Sequence, residues 1–230
     1  MRKFNQKGRA LTNALLATLI VVLYIAISTP TAQSAMSELY NSPVYRGHAE
    51  DTLALECAVS WNADALPDML DLLKDQNVKI TFMVSGDWAK ENSGLLNKMV
   101  QNGHEIGTMG MTPFFDGDRD ALVKDIEKSI EVIHAACGVR PELYYSGTRK
   151  VSSSTKAAGR VGLVHVMCTV DLLSGRGDAQ DILSRALDRP FDGSILLIQP
   201  TMEAFKALPA CLDGLRQQGY KIGTVSQALG

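Results

Sequence analysis

The sequence predicts an α/β fold, a distorted (β/α) barrel of about seven strand–helix units that follows an N-terminal signal or anchor segment. Three observations lead to this prediction. Short apolar runs alternate with runs of helical period from residue 53 to residue 225. The connections between them are short, as they are where helices join parallel strands. About seven such units in ~190 residues favour a closed or nearly closed barrel over an open sheet.

The first 35 residues have the layout of an export signal. A positive segment with four basic residues precedes an almost unbroken apolar run at residues 14–27, and small residues follow at residues 31–35. This pattern predicts a signal peptide cleaved near Ser34 or Ala35, or an anchor held in the cytoplasmic membrane by residues 10–27. The rest of the chain is then expected outside that membrane. An apolar buried helix is the alternative interpretation.

The chain after residue 35 is acidic, with 19 basic and 25 acidic residues and a formal charge of −6. An acidic domain without a basic run is a poor partner for polyanions, so nucleic acid is not expected as a partner. Four cysteines in an exported domain could pair, but each lies in an apolar strand-like or helix-like run and none has CxxC spacing. Buried free thiols are therefore preferred to disulfides.

Residues 36–50 are polar and aperiodic, which predicts a linker in front of a domain at residues 51–230. Inside the domain, turn glycines and capping residues such as Asp118 mark the element boundaries. The predicted strands are residues 53–59, 78–84, 104–107, 143–145, 164–170, 195–198 and 221–225. The predicted helices are residues 66–73, 95–100, 121–136, 153–160, 179–187 and 208–217.

A site in such a barrel lies at the carboxyl ends of the strands, because these ends meet at one rim. Six loops are expected around that rim, at residues 58–62, 85–88, 109–113, 146–150, 171–176 and 199–202. These loops are therefore the first place to look for chemistry.

One long run resembles the polysaccharide deacetylases of the NodB-homology (carbohydrate esterase 4) type, LPDMLDLLKDQNVKITFMVSGDWAKENSGLLNKMVQNGHEIGTMG at residues 66–110. The sporulation-associated branch is the most similar, since its first motif also ends in Ser-Trp. The resemblance extends from about residue 52 to residue 229. It implies a NodB-like barrel that removes N-acetyl groups from amino-sugar polymers, with a divalent metal held by one Asp and two His.

The positions that would carry this chemistry hold other residues in this sequence. By resemblance, the base, the Asp ligand, the two His ligands and the late acid fall on Ala58, Val59, Met109, Pro113 and Gln199. Asp171 keeps its carboxyl, whereas the Arg of the third motif is absent beside Tyr144 and Tyr145. No cofactor is therefore expected, and a divalent metal such as zinc is expected only if an atypical site has formed.

A rebuilt site would need several His, Asp, Glu or Cys side chains that converge. The four histidines are expected in surface or structural roles. Asp171 is the acid clearly expected on the rim, and Glu56 alternates onto the inward face with Ala58, where a carboxylate needs a partner or a raised pKa. Glu56 is interpreted as a structural oddity rather than a functional acid. Ser146 has no histidine in register, so a Ser–His pair is not expected.

Replacement of charged ligands by apolar side chains turns a metal pocket into an apolar depression. Met109 and Met111 either fill this depression or form part of a reshaped binding surface. Four aromatic side chains near the rim are predicted to stack on sugar rings, and they are Trp61, Trp88, Tyr144 and Tyr145. The two tryptophans match residues of the similar enzymes and are equally consistent with loop packing.

Three functions remain open. The first, which we prefer, is an exported non-catalytic deacetylase-like domain that binds a cell-wall glycan such as peptidoglycan, or an envelope protein. The second is an atypical deacetylase that acts on amino-sugar polymers through Asp171, Glu56 and Gln199. The third is a structural partner in envelope or spore assembly. The first is preferred because the scaffold pattern is complete while base, ligands and acid are replaced.

Overall fold

The computed structural model describes residues 2–28, 40–59, 63–113, 115–147 and 151–230, and it divides into two units, Met1–Leu39 and Tyr40–Gly230. The first unit holds helix α1 (Arg2–Ser28), whose described side chains, residues 11–24, are exposed. In the described part of the chain, no helix combines the length and the apolarity needed to cross a membrane. The cleavage region near Ser34 lies outside the described residues, so the role of this segment in export stays a prediction.

The second unit is built on one curled sheet of eight parallel strands with helices around it, which confirms the predicted (β/α) architecture. The strands are β1 (Thr52–Val59), β2 (Thr81–Val84), β3 (Glu105–Thr108), β4 (Leu143–Tyr144), β5 (Val164–His165), β6 (Val170–Asp171), β7 (Ile195–Ile198) and β8 (Lys221–Gly223). They lie in the order β5-β4-β3-β2-β1-β7-β6, and β8 also pairs with β1.

The helices of this unit begin and end at recognisable signals. Asp118 caps the longest helix by accepting a 2.8 Å hydrogen bond from the Ala121 N–H, and Gly138 ends it with φ of 76°. A capping box of Asp178 and Asp181 begins another. The helices are α2 (Leu66–Asp75), α3 (Gly86–Glu91), α4 (Ser93–Gln101), α5 (Arg119–Cys137), α6 (Val151–Arg160), α7 (Ala179–Leu187), α8 (Met202–Gln217) and α9 (Val225–Leu229).

The structure differs from the sequence prediction at the fifth strand. The predicted strand 164–170 is two short strands, β5 and β6, which lie at opposite ends of the strand order. Its first part pairs with β4 and its last part with β7, since the Val166 N–H donates to the Tyr144 carbonyl and the Thr169 N–H donates to the Ile195 carbonyl, both at 2.8 Å. The apolar run therefore spans the gap between the two sheet edges.

Residues 40–50 form a strap along this gap, and they belong to the same compact unit as residues 51–230, although the sequence predicts a linker for them. The Val44 N–H donates to the His165 carbonyl (2.8 Å), and the Met167 N–H donates to the Val44 carbonyl (2.7 Å). Further along, the Gly47 N–H donates to the Gly193 carbonyl at 2.7 Å. A polar, aperiodic segment predicts a linker. In the structure, however, its backbone groups form hydrogen bonds with the backbone at the edges of the sheet.

The alternation of β1 separates two environments. Leu53, Leu55, Cys57 and Val59 pack in the apolar layer between the sheet and the helices. Ala54, Glu56 and Ala58 therefore point to the barrel interior. Met83 of β2 fills part of this interior, because a Cβ added to Gly107 would overlap its sulfur. All four cysteines are free thiols.

Candidate functional site

The loops at the carboxyl ends of the strands join into one rim. After β2 and β3, the Gly86 N–H donates to the Gly110 carbonyl and the Asp87 N–H donates to the Met111 carbonyl, both at 3.0 Å. After β6 and β7, the Gln199 N–H donates to the Ser174 hydroxyl at 2.6 Å. These bonds join four of the six loops that the sequence predicts at the rim into two pairs of neighbours.

Two acids lie in one layer of the barrel interior below this rim. The pairing register places Asp171 beside Leu197, and Leu197 beside Glu56. Directly paired residues of parallel strands project to the same face of a sheet. Glu56 and Asp171 therefore project inward at the same level, although they are far apart in the sequence.

Glu56 is fully buried, and neither of its carboxyl oxygens has a hydrogen-bond partner among the described residues. Burial raises the pKa of Glu56 from 4.5 to about 8, and the nearby Glu105 carboxylate adds to this rise. The carboxyl is consequently protonated at neutral pH. A buried acid without a partner destabilises a domain, so its presence in the barrel needs an explanation.

Tyr145 and Cys168 complete an interior acid cluster with Glu56 and Asp171. Burial raises the pKa of Cys168 to about 12, with Glu56 and Asp171 contributing. Burial likewise raises the pKa of Tyr145, and Cys168 and the same two acids add to it. Both groups are therefore neutral, and the cluster extends from the fully buried Glu56 to the partly exposed Cys168 and Asp171.

The positions that the resemblance assigns to base and ligands carry apolar side chains. Ala58 and Met109 are buried in the barrel mouth, with 5% and 3% of their surface exposed, and Pro113 is buried in the same loop as Met109. Val59 is fully buried on the other face of β1, in the layer below the helices. None of these side chains offers an oxygen or nitrogen atom to a metal ion.

The loop at residues 109–113 is held by two acids. The Met111 N–H donates to the Asp125 carboxylate at 2.9 Å, and the Thr112 hydroxyl donates to Asp87 at 2.9 Å. Met111 packs against Gly86, where a side chain would overlap its sulfur. In the part of the chain that the structure describes, no three His, Cys, Asp or Glu side chains could hold a metal ion. The residues present therefore do not fit the divalent metal that the resemblance implies.

A shallow groove of about 300 Å³ lies on the rim beside the loops after β6 and β7. The exposed Gln199 borders it, because a Cβ on Gly175 would meet the Gln199 side chain at 2.6 Å. The Thr201 hydroxyl fixes the wall of the groove by donating to the Ser174 carbonyl at 2.7 Å. Arg176 is the basic residue among those that line it. The groove thus offers both hydrogen-bond donors and hydrogen-bond acceptors.

Three of the four predicted stacking residues are buried in the described structure. Trp88 is buried in α3, and Tyr144 packs in the apolar layer with α5 and α6. Tyr145 has only 5% of its surface exposed and belongs to the interior acid cluster. Little of these three rings is therefore accessible to a sugar in this structure, and their stacking on sugars stays a prediction. Trp61 lies outside the described residues.

A Ser–His pair forms where none was expected. His165 Nε2 lies 2.9 Å from the Ser146 hydroxyl, and its Nδ1 lies 2.8 Å from the Thr155 hydroxyl. Burial lowers the pKa of His165 to about 4, so the ring is neutral and is a weak base. Sequence spacing could not reveal this contact, since adjacent β4 and β5 bring the two residues together across 19 positions.

His165 is expected to act as a structural tie between the sheet and α6. Replacing His165 by Phe keeps a ring but removes both hydrogen bonds, so the free energy of unfolding at pH 8 should fall by about 2 kcal/mol. Urea denaturation checks this, with the exposed His134→Phe as the control that should change stability by less than about 0.5 kcal/mol. Equal stability of both variants and the parent would contradict a structural role.

A family model and several known proteins match the sequence of this chain. The family model for polysaccharide deacetylase matches residues 51–166. The uncharacterized protein YlxY of Bacillus subtilis is 29% identical over 204 residues, which cover 84% of this chain and 62% of YlxY. The peptidoglycan-N-acetylglucosamine deacetylase PgdA of Listeria monocytogenes is 25% identical over 177 residues, which cover 74% of this chain and 37% of PgdA. The chain thus spans less than two thirds of either relative.

Solved structures with the same fold include both a pseudoenzyme and its derivative. Wild-type BA3943 of Bacillus anthracis, described as a CE4 family pseudoenzyme, superposes with a TM-score of 0.76 at 27% identity, covering 83% of this chain and 69% of that chain. A BA3943 mutant with restored enzymatic activity superposes with a TM-score of 0.78 at 26% identity, covering 83% and 72%.

Proposed function

Because the chain belongs to the polysaccharide deacetylase family, we propose that it is an exported, non-catalytic member that binds a cell-wall glycan. The observation that carries this proposal is the character of the barrel mouth. Ala58, Met109 and Pro113 are buried there, at positions where the resemblance places the base and two metal ligands. Such a mouth lacks the groups that polarise a carbonyl and activate water.

The relatives support both halves of the proposal. BA3943 is described as a pseudoenzyme, so the same fold exists in a protein without the family's activity. PgdA is described as acting on peptidoglycan N-acetylglucosamine, so glycan of the cell wall is a ligand class for this fold. Export is supported by the charged head, apolar middle and small-residue tail of the first 35 residues.

The rim groove beside Gln199 is the surface that we assign to the glycan. Sugars are bound through many hydroxyl groups, and this groove combines the Arg176 guanidinium with the carboxylates of Asp64 and Glu203. Met202 adds apolar surface, with 47% of it exposed. A shallow groove of this kind suits a polymer chain better than a small molecule, because a polymer can continue beyond both of its ends.

Three measurements on the purified full chain test the proposal together. Elemental analysis should find far less than one zinc per chain, N-acetylglucosamine oligomers should release no acetate, and insoluble peptidoglycan should retain the protein. A matched Arg176→Ala variant should be retained less, because it loses a groove side chain without changing the interior. Stoichiometric metal with acetate release would show that an active site exists and would end the proposal.

An atypical deacetylase is the second candidate, and the protonated Glu56 is the observation that favours it, since a raised pKa suits a general acid. In that case acetate release should occur and Asp171→Asn should abolish it. If neither metal, acetate nor glycan retention is found, an envelope protein becomes the partner to search for by crosslinking the full chain in envelope extracts.

A further inference from the structure

We propose that the interior acid cluster of Glu56, Tyr145, Cys168 and Asp171 binds a primary ammonium group, the C2 ammonium of a de-N-acetylated amino sugar. This inference rests on the proposed glycan-binding function and specifies its ligand. The domain would thus bind selectively to glycan from which an N-deacetylation reaction has already removed acetyl groups.

Geometry gives the first support. Glu56 is fully buried and both of its carboxyl oxygens lack a hydrogen-bond partner among the described residues. Asp171 projects inward at the same level through the register of β6, β7 and β1. Asp171 and Cys168 are partly exposed, so the cluster reaches solvent at these two residues. A buried carboxyl in this position has acceptor atoms that a ligand with several donors would satisfy.

Charge gives the second support. The ionisable side chains that act on Glu56, Tyr145 and Cys168 are all acids, namely Glu105, Asp171, Cys168 and Glu56 itself. A cation is therefore the ligand that complements this cluster.

An ammonium group fits better than a metal ion or an acetamido group. A metal would need three converging ligand side chains, and the described residues contain no such group. An ammonium group can instead be held by hydrogen bonds to two carboxylates, Glu56 and Asp171, of which Asp171 also accepts a 2.8 Å bond from the Leu173 N–H. An acetamido group is neutral and cannot form an ion pair with them.

Binding couples to one proton. Glu56 is protonated in the free protein, because burial raises its pKa to about 8. When the ammonium binds, the carboxyl ionises to form the ion pair and its proton leaves to solvent. One proton is therefore released for each ligand bound. Below neutrality, the affinity should increase about tenfold for each unit by which the pH is raised. Surface carboxylates, already ionised in this range, would not produce this dependence.

The test is calorimetric titration of the full chain with two matched probes, a glucosamine tetramer and an N-acetylglucosamine tetramer, from about pH 5 to pH 6.5 in two buffers of different ionisation enthalpy. We expect at least tenfold preference for the glucosamine tetramer and release of about one proton per site. Glu56→Gln and Asp171→Asn should each abolish the preference. Glu91→Gln, an exposed substitution with the same change of charge, should keep it.

Each contrary result has its own meaning. Tighter binding of the N-acetylated tetramer, or a preference unchanged in Glu56→Gln, would overturn this inference and leave the glycan-binding function standing. A preference matched by tri-lysine peptide at the same affinity would overturn it too, by showing general attraction of cations to an acidic domain. Binding of neither tetramer, together with no retention on peptidoglycan, would instead overturn the proposed function.

Discussion

Replacing Glu56 by Gln is expected to stabilise the domain at pH 8 by several kcal/mol and to leave its stability near pH 4.5 almost unchanged. The ordinary pKa of this carboxyl is 4.5, and in the folded protein it is about 8. Below pH 4.5 the group is protonated in both states. Between these values only the unfolded chain ionises, so stability falls as pH rises, by up to roughly 5 kcal/mol at 1.36 kcal/mol per unit.

Urea denaturation of parent and Glu56→Gln at about pH 4.5, 6 and 8 measures this effect as a difference that widens with pH. Glutamine keeps the size of the side chain but cannot ionise, so its curve isolates the contribution of Glu56 from every other titrating group. The exposed Glu91→Gln should follow the parent at each pH. Parallel curves for parent and Glu56→Gln would mean that Glu56 is solvated or paired in solution.

Gly47→Ala is expected to destabilise the domain by about 3 kcal/mol or more, because the strap would lose its place against the barrel. A Cβ at Gly47 would overlap the carbonyl of Ala228, which already accepts hydrogen bonds from the His48 N–H (2.9 Å) and the Ala49 N–H (3.0 Å). The opposing Gly193 is equally close, since its own Cβ would overlap the Gly47 carbonyl oxygen. Backbone atoms on both sides leave no flexible group to yield.

Thermal unfolding of parent, Gly47→Ala and Gly94→Ala checks this expectation. Gly94 lies in α4 with nothing within 4 Å of an added Cβ, so alanine there should stabilise the helix by up to about 1 kcal/mol. A parental melting temperature for Gly47→Ala would support a linker at residues 40–50. A large decrease would show that the strap is part of the folded domain.

The two predictions concern opposite contributions to the stability of the domain. The strap at residues 40–50 stabilises the domain, whereas the buried Glu56 destabilises it at neutral pH. A group that destabilises a fold and is nevertheless fully buried is a candidate for function, because structure alone would favour an apolar side chain there. If Glu56→Gln is both more stable and deficient in binding glucosamine oligomers, the cost and the use of Glu56 have been measured on the same residue.

Much of the scaffold could be predicted from the sequence, because it depends on local periodicity. The run at residues 53–59 and the helical period of 121–136 appear as β1 and α5 with boundaries shifted by one or two residues. The inward direction of Glu56 also followed from alternation along β1. The apolar identity of Ala58, Met109 and Pro113, where the resemblance assigns a base and two metal ligands, was also visible in the sequence.

The tertiary structure decided everything that depends on contacts distant in sequence. Alternation places Glu56 inside the barrel, but only the register of β6, β7 and β1 sets Asp171 at the same level. The polar residues 40–50 belong to the domain because sheet edges far along the chain satisfy their backbone groups. Ser146 contacts His165, and Tyr144 is buried. Both follow from the pairing of strands, which the spacing of residues along the sequence does not reveal.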